Sequence, residues 1–377
     1  MGQMTFSQMD SKKTFFLPYP IFRGEEFFLT FSFFTLGAFM STSPTDTLVP
    51  IDGDFKGRDI ISLDQFSQDD LHKIFTLTQT MKHIAVHNEP ATLLAGTLTA
   101  LLFYEPSSRT FSSFAAAVKR LGGQTLDIQS PETVTSVYKG ETFEDTIRVF
   151  EAYSDAIVLR HKQAGAAKQA ADAAEFVPVI NAGDGNSEHP TQTLLDLYTL
   201  YEKFGRLDNL KGLLVGDLLN SRTIHSLIRG LSLFENNTVY LLSPQRLQLT
   251  RAELQHLRTR GVTIVEISSE REIPRDCDFW YWTRIQKERF ATLEEYDDAA
   301  QETFVVTPQL MGQYASSDMI LLDPLPRVGT IDPSVDRDPR AVYLRSQIRN
   351  GLYTRMALLA LVLGRAEGHP RKEHHVK

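Results

Sequence analysis

The chain has 377 residues, of which 42% are hydrophobic and 23% charged, and it carries a formal net charge of -8 at pH 7. That length accommodates two domains with separate cores, and the composition belongs to a folded globular protein rather than a disordered one. The acidic balance argues against general nucleic-acid binding, which calls for a basic face. The first forty residues differ in kind from the rest. Phe27 to Met40 is nearly all apolar, yet too short for a membrane-spanning helix. Glu25 and Glu26 precede it, where a signal peptide would carry positive charge. Residues 1–45 therefore read as an N-terminal extension ahead of the folded part, with Met40 a candidate true start.

From about Phe55 strand-like and helix-like patterns alternate, which predicts an α/β architecture with parallel sheets. The first strand run is Leu98 to Tyr104. Behind it Phe111, Phe114, Ala115 and Val118 fall at the i, i+3, i+4, i+7 spacing of one helix face. Ser107, Ser108, Arg109 and Thr110 lie between, where the helix must begin. A helix start offers unpaired N–H groups and a positive dipole end, so this is a candidate phosphate pocket. An ordinary Ser/Thr N-cap beside a solvated arginine would give the same local pattern.

Further strand runs follow: Asp155 to Leu159, Val177 to Ile180, Leu213 to Val215, Val239 to Leu242, Val262 to Ile267, Phe279 to Trp282 and Met319 to Leu322. Pro190 suits the first position of a helix whose face carries Leu194, Leu197, Tyr198 and Tyr201. A second strand–loop–helix unit runs from Lys211 through Asp217 to Ile224, Leu227, Ile228 and Leu231. The last predicted helix spans Arg345 to Leu363, and the tail after Gly364 is polar. The lone cysteine, Cys277, forms no internal disulfide and suits a reducing, cytoplasmic compartment. Ser107, Arg160, His189, Arg222, Arg284 and Leu325 each follow a predicted strand closely. Ligands of such sheets bind beyond the carboxyl ends of the strands, so these segments are expected to converge on one crevice.

The segments recur as motifs in a fixed order. They are Ser107-Ser108-Arg109-Thr110, Val137-Tyr138-Lys139-Gly140, Val158-Leu159-Arg160-His161 and His189-Pro190-Thr191-Gln192, then Ser221-Arg222-Thr223, Thr283-Arg284-Ile285-Gln286-Lys287-Glu288-Arg289 and Pro324-Leu325-Pro326-Arg327. From about Lys56 to about Gly364 the chain resembles the aspartate carbamoyltransferases. The resemblance implies two doubly wound parallel-sheet α/β domains joined by interdomain helices. Residues 46–190 would bind carbamoyl phosphate, completed by the C-terminal helix at 345–364. Residues 191–344 would bind aspartate, and 365–377 form the polar tail.

The implied activity is a transferase step of pyrimidine biosynthesis: the carbamoyl group of carbamoyl phosphate passes to the amino group of L-aspartate. Ser107, Ser108, Arg109 and Thr110 then hold the phosphate, while Thr110, Arg160 and His189 surround the carbonyl oxygen. Gln192, Leu325 and Pro326 meet the carbamoyl amino group, and Arg222, Arg284 and Gln286 take the aspartate carboxylates. Thr135 or Ser136 and Lys139 reach into a neighbouring subunit's site, which implies a homotrimer with shared active sites. Arg289 is a candidate partner for Glu105 on domain closure, and Arg327 is either a support of the fold or a substrate-facing charge. No metal or other cofactor is called for, since no metal-ligand spacing, P-loop or dinucleotide fingerprint appears. A regulatory chain or another pyrimidine enzyme is left open as a partner; nucleic acid and membrane are not expected.

Two positions depart from the family pattern. Phe111 stands where arginine is common, and Asp323 where histidine is common. Competing readings are an ornithine-type carbamoyltransferase and a catalytically silent scaffold homologue. The ornithine enzymes carry cysteine in the late motif, which here reads Asp323-Pro324-Leu325-Pro326-Arg327. A Ser–His hydrolase lacks support, because there is no Gly-x-Ser-x-Gly elbow.

Overall fold

The alternating apolar runs become two parallel sheets, each covered by helices on both faces. The computed structural model describes residues 48–131, 139–185 and 188–366. The N-terminal extension, Thr135 and Ser136, and the tail beyond residue 366 lie outside the described residues. Among the described residues no helix is long and apolar enough to cross a membrane.

The first sheet contains β1 (Leu98–Phe103), β2 (Gln124–Gln129), β3 (Ala156–His161) and β4 (Val179–Asp184) in the order β2-β1-β3-β4, all parallel. Its helices are α1 (Gln68–His87), α2 (Ser108–Arg120), α3 (Phe143–Glu151) and α4 (Ala166–Ala173). Successive strand side chains point to opposite faces, so one strand serves two cores. Ala100, Leu102, Ile157 and Leu159 pack with Ile147 and Phe150 of α3 and Ala167 and Ala170 of α4. Leu101, Phe103, Val158 and Ile180 join the larger core on the other face.

The connecting helix α5 (Pro190–Phe204) leads to the second sheet, and Pro190 at its start has no N–H to leave unsatisfied. That sheet comprises β5 (Lys211–Val215), β6 (Thr238–Leu242), β7 (Thr263–Ile267), β8 (Phe279–Trp282) and β9 (Ile320–Leu322) in the parallel order β7-β6-β5-β8-β9. Helices α6 (Arg222–Leu231), α7 (Arg251–Arg258), α8 (Leu293–Gln301) and α9 (Pro308–Tyr314) accompany it. Alternation repeats in β8: Phe279 and Tyr281 face one core, Trp280 and Trp282 the other.

The last helix, α10 (Ser346–Val362), packs against α1, α2 and α5, and its second half, Met356 to Val362, is apolar on every side and buried. Several of its polar side chains, all in the first ten residues, find partners. Asn350 Nδ2 donates to Thr199 Oγ1 at 3.1 Å, and Arg355 Nη1 donates to Ser113 Oγ at 2.9 Å.

Two strands differ from their sequence reading. β2 was not among the expected strands: it is an edge strand in which only Leu126 and Ile128 are apolar, so the run reads as loop. β4 continues to Asp184 rather than ending near Ile180: Asn181, Gly183 and Asp184 look like turn residues yet are buried, and Asn181 and Asp184 pair with β3.

Strand order fixes where a ligand can sit. From β1 the chain crosses to β2 on one side and to β3 on the other; from β5 it winds to β6 on one side and later to β8 on the other. The gaps between β1 and β3 and between β5 and β8 are therefore topological switch points, where adjacent loops diverge and leave a crevice.

Candidate active site

A cavity of about 710 Å³ opens at the carboxyl ends of both sheets, lined from the two switch points at once. From β1 come Ser107, Ser108, Arg109 and Thr110; from β3, Arg160; from the segment after β4, His189 and Gln192. The second sheet supplies Arg222 after β5, Arg284 and Gln286 after β8, and Leu325 and Pro326 after β9. All twelve of these sequence-selected positions thus face one space. Lys139 is exposed and is not among the lining residues, and Thr135 and Ser136 fall outside the described residues.

Helix capping differs between this region and most of the other helices; α4, whose N-cap is Gly165, is also uncapped by a side chain. Away from the cavity, α1, α3, α7, α8 and α9 each begin with a Ser or Thr whose side chain accepts a backbone N–H. The helices that open onto it do not: Ser107 before α2, His189 before α5 and Ser221 before α6 make no side-chain cap. Ser107 is thus not the ordinary N-cap its sequence allows. First-turn N–H groups without a capping side chain, with the helix dipole behind them, suit an anion.

The charges are concentrated and only partly balanced. Arg109, Arg160, Arg222, Arg284, Arg289, Arg349 and Arg355 line the cavity against three acids, Glu105, Glu288 and Asp323. Glu105 accepts from Arg160 Nη2 at 3.0 Å and lies 3.5 Å from Arg222 Nη1. It does not pair with Arg289, whose Nη2 donates instead to the Gly185 carbonyl at 3.3 Å. Arg160 Nη1 also donates to the Ala182 carbonyl at 3.1 Å, which fixes its guanidinium at the strand end. Burial, then the neighbouring Arg222, pulls the Arg160 pKa down to about 10, so it remains a cation at neutral pH.

His189 is buried beside Arg160, Arg222 and Arg355. Burial first, and those cations second, hold its pKa well below the usual histidine range. It is therefore a neutral imidazole and serves as a hydrogen-bonding group, not as a proton source. Thr191 Oγ1 sits 3.4 Å from His189 Nδ1. Gly183 gives this cluster its room: a Cβ there would stand 2.8 Å from Arg160 Nη1 and 3.3 Å from His189 Cδ2.

Hydrogen bonds tie the loops together. Asp217 Oδ2 accepts the Gln286 N–H at 3.2 Å, joining the loop after β5 to the loop after β8. Glu288 accepts both terminal nitrogens of Arg284, at 3.0 and 2.5 Å, and so fixes the plane of its fork. Asp196 on α5 accepts from Gln192 Nε2 at 3.1 Å, Gln347 Nε2 at 2.7 Å and the Tyr281 hydroxyl at 2.9 Å. With its amide NH2 turned to Asp196, Gln192 has its carbonyl oxygen left to face the cavity. Arg327 donates to Asp336 and to Tyr343 at 3.1 Å and lies outside the lining, so it supports the fold. Phe111 packs edge-on against Phe103 at 5.2 Å between ring centres, adding apolar contact where an arginine would add charge.

Sequence reasoning did not pick out Arg355, Gln347 or Asp196. The available signal was a polar residue within an otherwise apolar helical stretch, which costs stability unless it is paired.

Asp196 carries a stability prediction. Burial pushes its pKa up to about 7, against the pull of its hydrogen bonds to Gln347, Tyr281 and Gln192. Its unfolded value is about 3.9. The native state thus favours the neutral acid: this contribution to stability is fully present below about pH 3.9 and is lost as pH rises to about 7. Relative to Asp196→Asn, the wild-type melting temperature should fall across that window and level off above it. Parallel melting curves from pH 4 to 8 would refute the assignment.

The chain is similar to known carbamoyltransferases over most of its length. The model for the aspartate/ornithine carbamoyltransferase carbamoyl-P binding domain matches residues 58–202, and that for the Asp/Orn binding domain matches residues 208–362. The chloroplastic aspartate carbamoyltransferase of Arabidopsis thaliana is 44% identical over 309 residues, 82% of this chain and 78% of that protein. The catalytic subunit of M. jannaschii aspartate transcarbamoylase superposes with a TM-score of 0.75 at 40% identity, over 83% of this chain and 100% of that one. Aspartate transcarbamoylase from Trypanosoma cruzi in complex with carbamoyl phosphate and aspartate gives a TM-score of 0.75 at 37% identity, covering 84% of this chain and 100% of its own.

Proposed function

The chain belongs to the aspartate/ornithine carbamoyltransferase family, and we propose that it joins carbamoyl phosphate and L-aspartate in the cleft between its two sheets. The products are N-carbamoyl-L-aspartate and phosphate, which places the enzyme in pyrimidine biosynthesis. One observation carries the assignment of roles: cationic side chains from both switch points line a single cavity. Two small anions meeting head to head require that arrangement.

Carbamoyl phosphate occupies the first-sheet side. The N–H groups at the start of α2, the hydroxyls of Ser107, Ser108 and Thr110, and the Arg109 guanidinium hold its phosphate. Thr110, Arg160 and neutral His189 donate to the carbonyl oxygen, where negative charge grows as the amine adds. Each such donor contributes roughly 10²–10³ in turnover. Gln192 and the carbonyl oxygens of the Leu325-Pro326 rim accept from the carbamoyl amino group. On the second-sheet side Arg222, Arg284 and Gln286 hold the two carboxylates of aspartate.

The aspartate nitrogen, as the free amine, attacks the carbonyl carbon. The bond from that carbon to the phosphate oxygen then breaks, and the departing phosphate takes the proton released by the nitrogen. No side-chain base is needed. Holding both reactants in line supplies much of the acceleration, roughly 7–11 kcal/mol in well-oriented systems.

Lys139, with Thr135 and Ser136, we assign to the site of a neighbouring copy, making the working unit a homotrimer. The resemblance supports this, as does the exposure of Lys139. A cytoplasmic location is supported by the single, buried cysteine, Cys277.

Purified protein supplied with carbamoyl phosphate should form a ureido product with L-aspartate and not with L-ornithine, as a native assembly with the mass of three chains. Ureido product from ornithine alone, or none from either amine, would overturn the proposed activity. Full turnover by a monomer would remove the shared site.

A further inference from the structure

Asp323 is a charge the reaction scheme does not use, yet it stands inside the cavity. It follows β9 and is 2% exposed. Its own N–H donates to Gln347 Oε1 at 3.1 Å, anchoring it to α10. Oδ1 accepts the Leu325 N–H at 2.5 Å and so closes the rim turn. Leu325 is held there at φ +58°, a left-handed conformation that a leucine rarely adopts without local support. Its carbonyl then meets Arg109 Nη2 at 2.7 Å. Oδ2 is buried and has no hydrogen-bond partner among the described residues.

This deepens the proposed function and rests on it. We propose that Asp323 is a positioning residue of the phosphate half-site: Oδ1 aims the Leu325 carbonyl at Arg109, and the charge of the carboxylate draws Arg109 and opposes the incoming phosphate. Ionised Asp323 offers the guanidinium a rival anion and repels a dianion; protonated Asp323 does neither. The half-site therefore has two affinities, set by one proton.

The surroundings allow both forms. Asp323 is faced by Arg109 from α2, Asp196 from α5, Tyr281 from β8, Gln347 from α10 and Arg327 from its own loop. Burial pushes its pKa up to about 7, opposed by the Leu325 N–H, Arg109 and Arg327 and reinforced by Asp196. The group is thus neutral below that pH and charged above it. Affinity for the phosphate should fall as pH rises. By linkage, phosphate binding must raise the proton affinity of Asp323 by the same factor.

The test compares wild type with Asp323→Asn, which keeps an oxygen for the Leu325 N–H but no charge. The KM for carbamoyl phosphate is measured at saturating aspartate from pH 6 to 8.5. Ionisation of the substrate is common to both proteins, so the wild-type to variant ratio isolates the charge at position 323 together with its coupling to Asp196. That ratio should rise roughly three- to ten-fold across the range, as expected for one charge–charge interaction in a partly buried site. Sulfate binding, followed by calorimetry in two buffers, should take up protons near pH 7 in wild type and fewer in the variant. Asp323→Ser replaces the asparagine variant if its melting temperature shows misfolding.

A ratio that stays flat with pH, or equal proton uptake in both proteins, would overturn the role of Asp323 and leave the carbamoyl transfer intact. Absence of ureido product in wild type would instead sink the proposed function.

Discussion

Replacing Arg109 with alanine is expected to lower turnover roughly 10²–10³-fold, the usual effect of deleting one aimed donor. The aspartate concentration at half-saturation should stay within about two-fold of wild type, because Arg109 sits on the phosphate side of the cleft. Its place gives the reason. Arg109 rises from the first turn of α2 and is exposed to the cavity, so its removal leaves no hole in the core. Its Nη2 donates to the Leu325 carbonyl at 2.7 Å, the group assigned to the carbamoyl amino group. Burial, and the nearby Arg284, lower its pKa while Asp323 opposes them, so the guanidinium is a cation ready to exchange a neutral acceptor for an anionic one. Charge on the leaving phosphate grows as the reaction proceeds, so the contact strengthens in the transition state and its loss appears in turnover. Arg109→Lys should recover only part of the rate, since a lysine offers a point charge and no planar fork. Unchanged turnover in Arg109→Ala would remove the residue from the chemistry.

How much of this is legible in the sequence depends on what each residue had to satisfy. Leu98 to Phe103 and Phe279 to Trp282 are buried on both faces, so they are apolar apart from Thr99 and announce themselves. Gln124 to Gln129 has one neighbour in the sheet and half-exposed side chains, and its polarity hides it. Asn181 to Asp184 conceals a strand because Asn181 and Asp184 bond to each other at 3.2 Å, and Gly183 makes way for Arg160. Local demands of the site override strand propensity there.

The cavity residues are legible as motifs because anion binding restricts chemistry tightly: hydroxyls and arginines at helix starts have few substitutes. The supporting residues are not. Asp196, Gln347 and Arg355 are distant in sequence, and their bonds form only once α10 meets α5 and the second sheet on one side and α2 on the other. Glu105 belongs to the same class. A carboxylate four residues before Arg109 reads as a possible partner of any cation, and only the approach of β3 and α6 selects Arg160 and Arg222.

For Arg284→Ala the expected change falls on aspartate: its half-saturating concentration should rise about 100-fold, while the KM for carbamoyl phosphate moves little. Two hydrogen bonds to a charged carboxylate are worth about 3 kcal/mol together, which is the basis of that figure. Arg284 follows β8 at the second switch point, and burial lowers its pKa less than the bond to Glu288 raises it. Glu288 holds the two terminal nitrogens and fixes the guanidinium plane, so the fork is oriented before substrate arrives. That preorganisation matters because ordering a long side chain on binding would consume part of the interaction. Arg284→Lys keeps the charge without the fork and should still require roughly ten-fold more aspartate than wild type, if bidentate geometry carries about half the interaction. The comparison also separates this arginine from a remote surface charge, whose loss would act through screening and vanish in salt. An aspartate requirement that Arg284→Ala leaves unchanged at both low and high ionic strength would exclude Arg284 from the substrate site and, with it, the meeting of two anions in one cleft.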